Sequence, residues 1–363
     1  MRPIIGLLCG VGALAILGID LAGRGCFGAP LVAGEVGPDP LAPELVASRE
    51  DRLRSAQAQI GAPAERQILF GDLHVHSSFS TDAFQLTLPM SGGDGAHPVA
   101  DACDFARYCA NLDFWSINDH AASLDRRRWE ETIGAVRQCE AVAGRTAPPD
   151  LTSFLGWEWT QMGLTPETHY GHKNVVLRDT DDAGIPTRPI AASAGGVASN
   201  PPPTLARGLL ALSDQRFRDL AARWTTLSEA TVCDEGPVRE LPPDCREIAA
   251  TPADLFTKLD DWGFESIVIP HGTAWGVYTP ARSTWDKQLE GALHDPKRQT
   301  LIEVYSGHGD SEVYRDWRTV DLDKNEEPVC PEPRPNYLPA CWRAGEIIEQ
   351  RCLSEGEIAS TCA

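Results

Sequence analysis

Apolar and polar positions follow two periods along the middle of the chain. Ile68-Leu69-Phe70 runs into Gly71-Asp72-Leu73-His74, which reads as a strand over 68–74. Val99–Ala110 carries apolar residues at helical spacing, and Arg126–Ala143 reads as an amphipathic helix. Asp113–Asn118, Thr152–Trp157 and Lys173–Leu177 read as strands. Pro252–Trp262 reads as a helix with Thr251 at the N-cap and proline at the first helical position. Glu265–Ile269 and Thr300–Tyr305 follow as strands, and Pro43–Gln59 is a polar helix ahead of the first strand.

Strands alternating with helices predict an α/β fold with a largely parallel sheet covered by helices. Between Arg178 and Ala250 the alternation breaks. Pro201-Pro202-Pro203 and Pro242-Pro243 mark a long insertion with at most one helix, near Ser213–Trp224. Residues 24–43 are rich in Gly, Pro and Ala and read as a linker. The tail after Asp310 is rich in Pro and Cys, with one short helix near Arg343–Gln350.

The chain has 363 residues and a formal net charge of -20, which argues against a nucleic-acid partner because phosphate binding needs a basic surface. An anionic substrate would need metal ions or local Arg and Lys to offset repulsion. Arg2 followed by the apolar stretch Ile4–Ile19 is a secretory signal pattern over residues 1–23. It is shorter than the roughly 20 residues that span a bilayer comfortably. An uncleaved anchor is the alternative, and lipidation at Cys26 ranks below simple cleavage.

Cysteine usage agrees with a periplasmic or secreted location. Cys233 with Cys245, Cys330 with Cys341, and Cys352 with Cys362 are close-spaced pairs in loop-like sequence, as disulfides would be in an oxidising compartment. Cys103 and Cys109 face different ways on their helix, so one of the two is expected to pair with Cys139.

In open α/β sheets and barrels, ligands sit at the carboxyl ends of the strands. The histidines gather there. His74 and His76 end the first strand, with both imidazoles on one face because strand side chains repeat every two residues. The second strand ends in Asn118-Asp119-His120 and the third in Gly156-Trp157-Glu158. His172 stands at the start of the fourth, His271 follows Ile267-Val268-Ile269-Pro270, and His308 follows Tyr305-Ser306-Gly307.

Imidazoles bind borderline divalent metals, and carboxylates bridge them. Two or three such ions hold a phosphoryl or acyl oxygen and lower the pKa of bound water. Glu158 is the candidate bridge, Asp82 a ligand from the loop after His76, and Asp119 the residue that orients His120. His308, near Asp310 and Glu312, is a candidate to shape the site. Arg126-Arg127-Arg128 reads as a solvated helix start, and Trp115, Trp157 and Trp159 as core.

Taken together, His74-x-His76, Asp82, Asn118-Asp119-His120, Gly156-x-Glu158, His172 and Pro270-His271-Gly272 resemble the polymerase and histidinol phosphatase (PHP) superfamily. Gly71-Asp72-Leu73-His74-Val75-His76-Ser77, Phe114–His120, Gly156–Trp159 and Glu303–Gly309 are similar to a secreted bacterial group within it, the domain of unknown function 3604 family. The resemblance implies a distorted β/α barrel, related to the TIM barrel, over residues 65–317, with the insertion at about 178–250 and a Cys/Pro-rich tail at 318–363. Residues 24–64 would form the linker and leading helix.

The resemblance further implies a phosphoesterase with two or three Zn, Mn or Fe ions. His74 and His76 would bind one with Glu158 as bridge, His172 and His271 a second, and Asp82 with His120 a third. Glu158, Asp119 and His308 are the expected catalytic residues. The late Asp-x-His of the superfamily is missing here, as in a C-terminally shortened barrel. The alternatives are an amidohydrolase-like esterase, lactonase or amidase, and a non-catalytic metal-binding module. The expected partner is a small, anionic substrate.

Overall fold

A computed structural model describes residues 2–61, 63, 68–93, 95–145, 149–194, 201–276, 279–280, 283–307, 309–311, 321–325, 327–332, 340–354, 356 and 358–362. The chain groups into two compact units. The first comprises Met1–Gln161, His172–Pro270 and Leu289–Leu301, and the second Met162–Gly171, His271–Gln288 and Ile302–Ala363.

The N-terminal residues form helix α1 (Arg2–Gly23) and, after an irregular stretch, α2 (Pro43–Gln59). Among the described residues no helix is long and apolar enough to cross a membrane. The stretch expected as a linker is irregular but docked. The N–H groups of Ala33, Gly37 and Leu41 donate to the carboxylates of Glu131, Asp104 and Asp150. Asp150 also takes a buried ion pair from Arg107 at 2.8 Å.

The sheet of the first unit is mixed and curls into a half-barrel. Strand β1 (Gly71–Val75) is followed by helix α3 (Thr81–Leu86) and by α4 (Val99–Asp104), which passes into a π-helical turn at Phe105–Cys109. Next come β2 (Phe114–Ile117), α5 (Arg126–Ala143), β3 (Thr152–Trp159) and β4 (His172–Leu177). The order across the sheet is β1-β2-β3-β4 and then β7 (Ser266–His271). β1 to β3 run parallel, but β3 and β4 pair antiparallel, with Glu158 opposite Asn174. The expected parallel sheet is thus mixed, because residues 160–171, which link β3 to β4, form no crossover helix.

Local chemistry explains the helices. Asp125 caps α5 by accepting from the Arg128 N–H. Trp129, Thr132, Val136, Cys139 and Ala143 make its buried stripe, at the three- and four-residue spacing of one helix face. Helix α8 (Pro252–Trp262) starts in a capping box of Thr251 with Asp254 and stops at Gly263, whose φ of 70° is the left-handed conformation that glycine adopts freely. Trp115, Trp157 and Trp159 are fully buried, and Trp157 meets Trp129 edge to face at 5.8 Å.

The insertion holds more structure than its prolines suggest. Helices α6 (Thr204–Ala211) and α7 (Gln215–Ser228) replace the single helix expected, and the short strands β5 (Ile190–Ala191) and β6 (Glu247–Ile248) pair in parallel. Among the described residues, disulfides join Cys233 to Cys245 and Cys330 to Cys341, as their close spacing predicts, and Cys103 to Cys139, while Cys352 is disulfide-bonded as well. Cys109 is the free member of its pair.

The second unit contains β8 (Trp275–Gly276), β9 (Tyr305–Ser306) and β10 (Gly309–Asp310), in the order β8-β10-β9. Lys287 Nζ donates to the carbonyls of Pro166, Glu167 and His169, fastening the 162–171 loop within this unit. The expected strand Thr300–Tyr305 is irregular as far as Val304, and only Tyr305–Ser306 joins a ladder. The helix expected near Arg343–Gln350 is longer, Ala340–Ser354.

Candidate metal centre

The carboxyl ends of β1, β2 and β3 and the amino end of β4 bring four histidines of the first unit to Glu158. This glutamate is fully buried on β3. Its Oε2 lies 3.3 Å from His74 Nε2 and 3.0 Å from His76 Nε2. Its Oε1 lies 2.6 Å from His172 Nδ1 and 3.3 Å from His120 Nδ1. Asp82, in the first turn of α3, places Oδ2 3.0 Å from His120 Nε2.

Backbone register fixes this geometry. His120 and Glu158 form a parallel bridge just past β2, and the Glu158 N–H donates to the Asp119 carbonyl at 3.1 Å. The antiparallel step to β4 then brings His172 in from the other side, and Asn174 faces the same way, buried opposite Glu158. His76, His120 and Glu158 each offer a ligand atom, all within 4.8 Å of one another.

Two hydroxyls face the Nδ1 atoms of His76 and His120. Ser80 Oγ donates to Asp119 Oδ1 at 2.7 Å, and it accepts from the His120 N–H at 3.0 Å. Its remaining lone pair, 2.7 Å from His76 Nδ1, therefore accepts from an Nδ1–H. That leaves His76 Nε2 turned toward Glu158. Thr160 repeats the arrangement: Oγ1 donates to Glu158 Oε1 at 3.1 Å and sits 2.5 Å from His120 Nδ1, so the His120 Nε2 faces Asp82.

Asp119 was expected to orient His120. Instead its carboxylate accepts from the N–H and Oγ of both Ser77 and Ser80, and it reaches the site through Ser80 and His76. The reason is geometric: the loop after β1 wraps over the end of β2 and presents its hydroxyls to Asp119. Ser80 and Thr160 escape sequence reasoning because a serine in Ser77-Ser78-Phe79-Ser80 or a threonine after Trp159 has no spacing signature of its own.

The electrostatics follow from burial and crowding. Burial by itself would raise the Glu158 carboxyl, but the charges of His120 and His172 and their hydrogen bonds hold it well below the usual carboxylate range. Burial would lower His120, yet Glu158 and Asp82 push it up to about 10. Burial wins at His76 and pulls its imidazole down, against the hydrogen bond to Glu158. At Asp82 burial is outweighed by the hydrogen bond from His120 and its charge, and the carboxyl falls below its usual range.

His271 closes β7 and opens the His271–Gln288 segment of the second unit. Within that unit it is fully buried, and its Nδ1 lies 3.7 Å from Glu303 Oε2. His169, also buried there, places Nε2 3.3 Å from the Gly272 carbonyl oxygen. His308 lies outside the described residues. Arg126 and Arg127 pair with Glu130 and Glu131 on the surface of α5, as a solvated helix start does, whereas Arg128 is buried on the Ser123 carbonyl and Asp125.

No family model matches this chain, and no solved structure matches it. Over 64 residues it is 44% identical to ribonuclease HII of Roseiflexus castenholzii, a stretch that makes up 17% of this chain and 27% of that protein. The chain thus spans about a quarter of the length of the curated relative that it matches.

Proposed function

We propose that this chain is an exported metal-dependent hydrolase that acts on phosphoesters, with a PHP-like centre built on Glu158. The observation that carries the reading is the buried carboxylate with an imidazole pair on each oxygen: His74 and His76 on one, His120 and His172 on the other. Without a cation, such a cluster must hold protons to offset its acids. The donor set fits one or more divalent ions, since imidazole nitrogen and carboxylate oxygen are the ligands that Zn, Mn and Fe take, and a carboxylate shared on both oxygens is suited to bridging two.

When bound, such ions supply Lewis acidity and a more acidic water. The chain's own residues do the rest. Ser80 accepts from His76 Nδ1 and leaves its Nε2 toward Glu158, while Thr160 and Asp82 hold the two ring nitrogens of His120. Asp82 is 40% exposed in its side chain, and it is the acid with access to an entering water. Three disulfides are consistent with an extracellular protein.

An amidohydrolase-like centre is the second reading, and one observation weighs against it. Lys173 neighbours His172 in sequence but projects to the opposite face, over the Trp159 ring at 5.3 Å, so it does not serve as a metal-bridging lysine beside His172. Elemental analysis of the purified protein, paired with turnover of 4-nitrophenyl phosphate, tests the proposal. Two or three equivalents of Zn, Mn or Fe with turnover lost to a chelator are expected. A protein that takes up no metal refutes it, and metal without phosphatase activity but with ester or lactone cleavage moves the assignment to the second reading.

A further inference from the structure

A cavity of about 460 Å³ lies along β1 within the first unit, and His74 and His76 form part of its wall. Apolar lining is added by Ala102, Phe105 and Ala106 of α4 and its continuation and by Leu112 of the turn into β2. Beyond the two imidazoles its titratable lining is Asp72, Asp101 and His97, the last 3.8 Å from Asp101. Among the described residues it has neither lysine nor arginine.

The helix changes form where it meets this cavity. Hydrogen bonding runs as α over Val99–Asp104 and as π over Phe105–Cys109. Such π turns inside helices are frequent at functional sites. Phe105, in that turn, is 62% exposed while lining the cavity, so its ring is not spent on packing the core.

We propose that this cavity is the subsite for the part of the substrate that does not react, and that it takes an uncharged apolar group, aryl or branched alkyl. The proposal rests on the hydrolase reading and adds the substrate class to it. The volume falls in the usual range of small-ligand pockets, roughly 300–1,000 Å³. An apolar group there gains from leaving water. A second phosphate or a carboxylate would instead face Asp72 and Asp101 with no lysine or arginine among the described lining residues, in a chain of net charge -20. The substrate is therefore a monoanion or dianion at the reacting end only, such as an aryl phosphate, rather than a nucleotide or sugar bisphosphate.

The test measures binding by calorimetry, so that it does not depend on turnover. Zinc-loaded protein is titrated with benzylphosphonate, 4-carboxybenzylphosphonate and methylphosphonate, and benzyl alcohol is titrated into the protein with and without chelator. Benzylphosphonate should bind at least tenfold more tightly than methylphosphonate and than the carboxylated ring. Ala102→Phe, which fills the cavity, should erase the tenfold preference and leave methylphosphonate binding and zinc content unchanged. Should that variant fold poorly, Phe105→Ala at the exposed ring should narrow the preference at least threefold. Benzyl alcohol should bind even without zinc. Equal affinity for the three phosphonates, or a preference that survives both variants, overturns the subsite. Benzyl alcohol bound without any zinc-dependent phosphonate binding overturns the hydrolase reading, and the cavity's role as its subsite falls with it.

Discussion

Ser80 Oγ stands 2.7 Å from His76 Nδ1 and donates its own hydrogen bond to Asp119, so a loop hydroxyl favours the His76 tautomer whose Nε2 faces the cluster. Partners of this kind typically change metal affinity by about 10–100-fold when removed. Ser80→Ala should weaken zinc binding by roughly that factor in a chelator competition. It should also cost about 1–3 kcal/mol of stability, because a buried acceptor on Asp119 loses a donor. Unchanged zinc affinity in a folded variant would show that His76 is held by other contacts.

Glu158 is the residue on which the whole centre turns. Glu158→Gln keeps the shape but removes the charge that gathers four imidazoles. It should lose at least one equivalent of bound metal and depress phosphatase turnover by orders of magnitude. Near-normal rates with full metal content would exclude Glu158 as a bridge.

Much of this architecture is legible in the chain, and the physical reasons differ from place to place. Arg126–Ala143 and Pro252–Trp262 are readable because cap, apolar stripe and stop signal coincide. The strand-end histidines are readable because imidazoles have few reasons to sort that way. The insertion is not: on α6 the buried positions are Gly208 and Ala211 while Leu205, Leu209 and Leu210 are exposed, so the apolar pattern does not mark the buried face. Thr300–Tyr305 misleads for the converse reason. Leu301, Ile302 and Val304 have strand-like composition but stay 42–52% exposed without joining a ladder. Ser80 and Thr160 become functional only once the bridge between His120 and Glu158 fixes the register, and no local spacing encodes that.

The insertion reaches into the site through one residue. Arg223 of α7 is buried and donates to the Ser78 carbonyl and Thr81 Oγ1 at 3.1 Å each, and to the Phe79 carbonyl. It thereby pins the loop that carries Ser80 and Asp82. Arg223→Met should loosen metal retention and lower the melting temperature while far-UV dichroism stays near that of the parent. Arg223→Lys, which restores one donor, should recover part of the metal affinity. If both variants hold metal like the parent, α7 is a structural brace with no hold on the centre.

The bond between Cys103 and Cys139 ties α4 to α5 across 36 residues. Loss of a native disulfide commonly costs about 2–5 kcal/mol. Cys139→Ser should therefore lower the melting temperature by several degrees, and dithiothreitol should do the same to the parent while adding little to the variant. A melting temperature insensitive to both would mean that α5 is held by its buried stripe alone.

Glu140, next to that disulfide, offers a pH test away from the metal centre. Partial burial raises its carboxyl above the usual value, against the hydrogen bond from Thr180 Oγ1 at 2.7 Å and the charge of Arg137. The folded protein therefore keeps this proton to higher pH than the unfolded chain does. The contribution to stability is full below the ordinary carboxyl pKa and is lost as pH rises through the raised one. Glu140→Gln cannot ionise and escapes that loss. In urea titrations at pH 4 and pH 7, the variant should gain on the parent only at the higher pH. An equal difference at both values would place the Glu140 effect in packing rather than in ionisation.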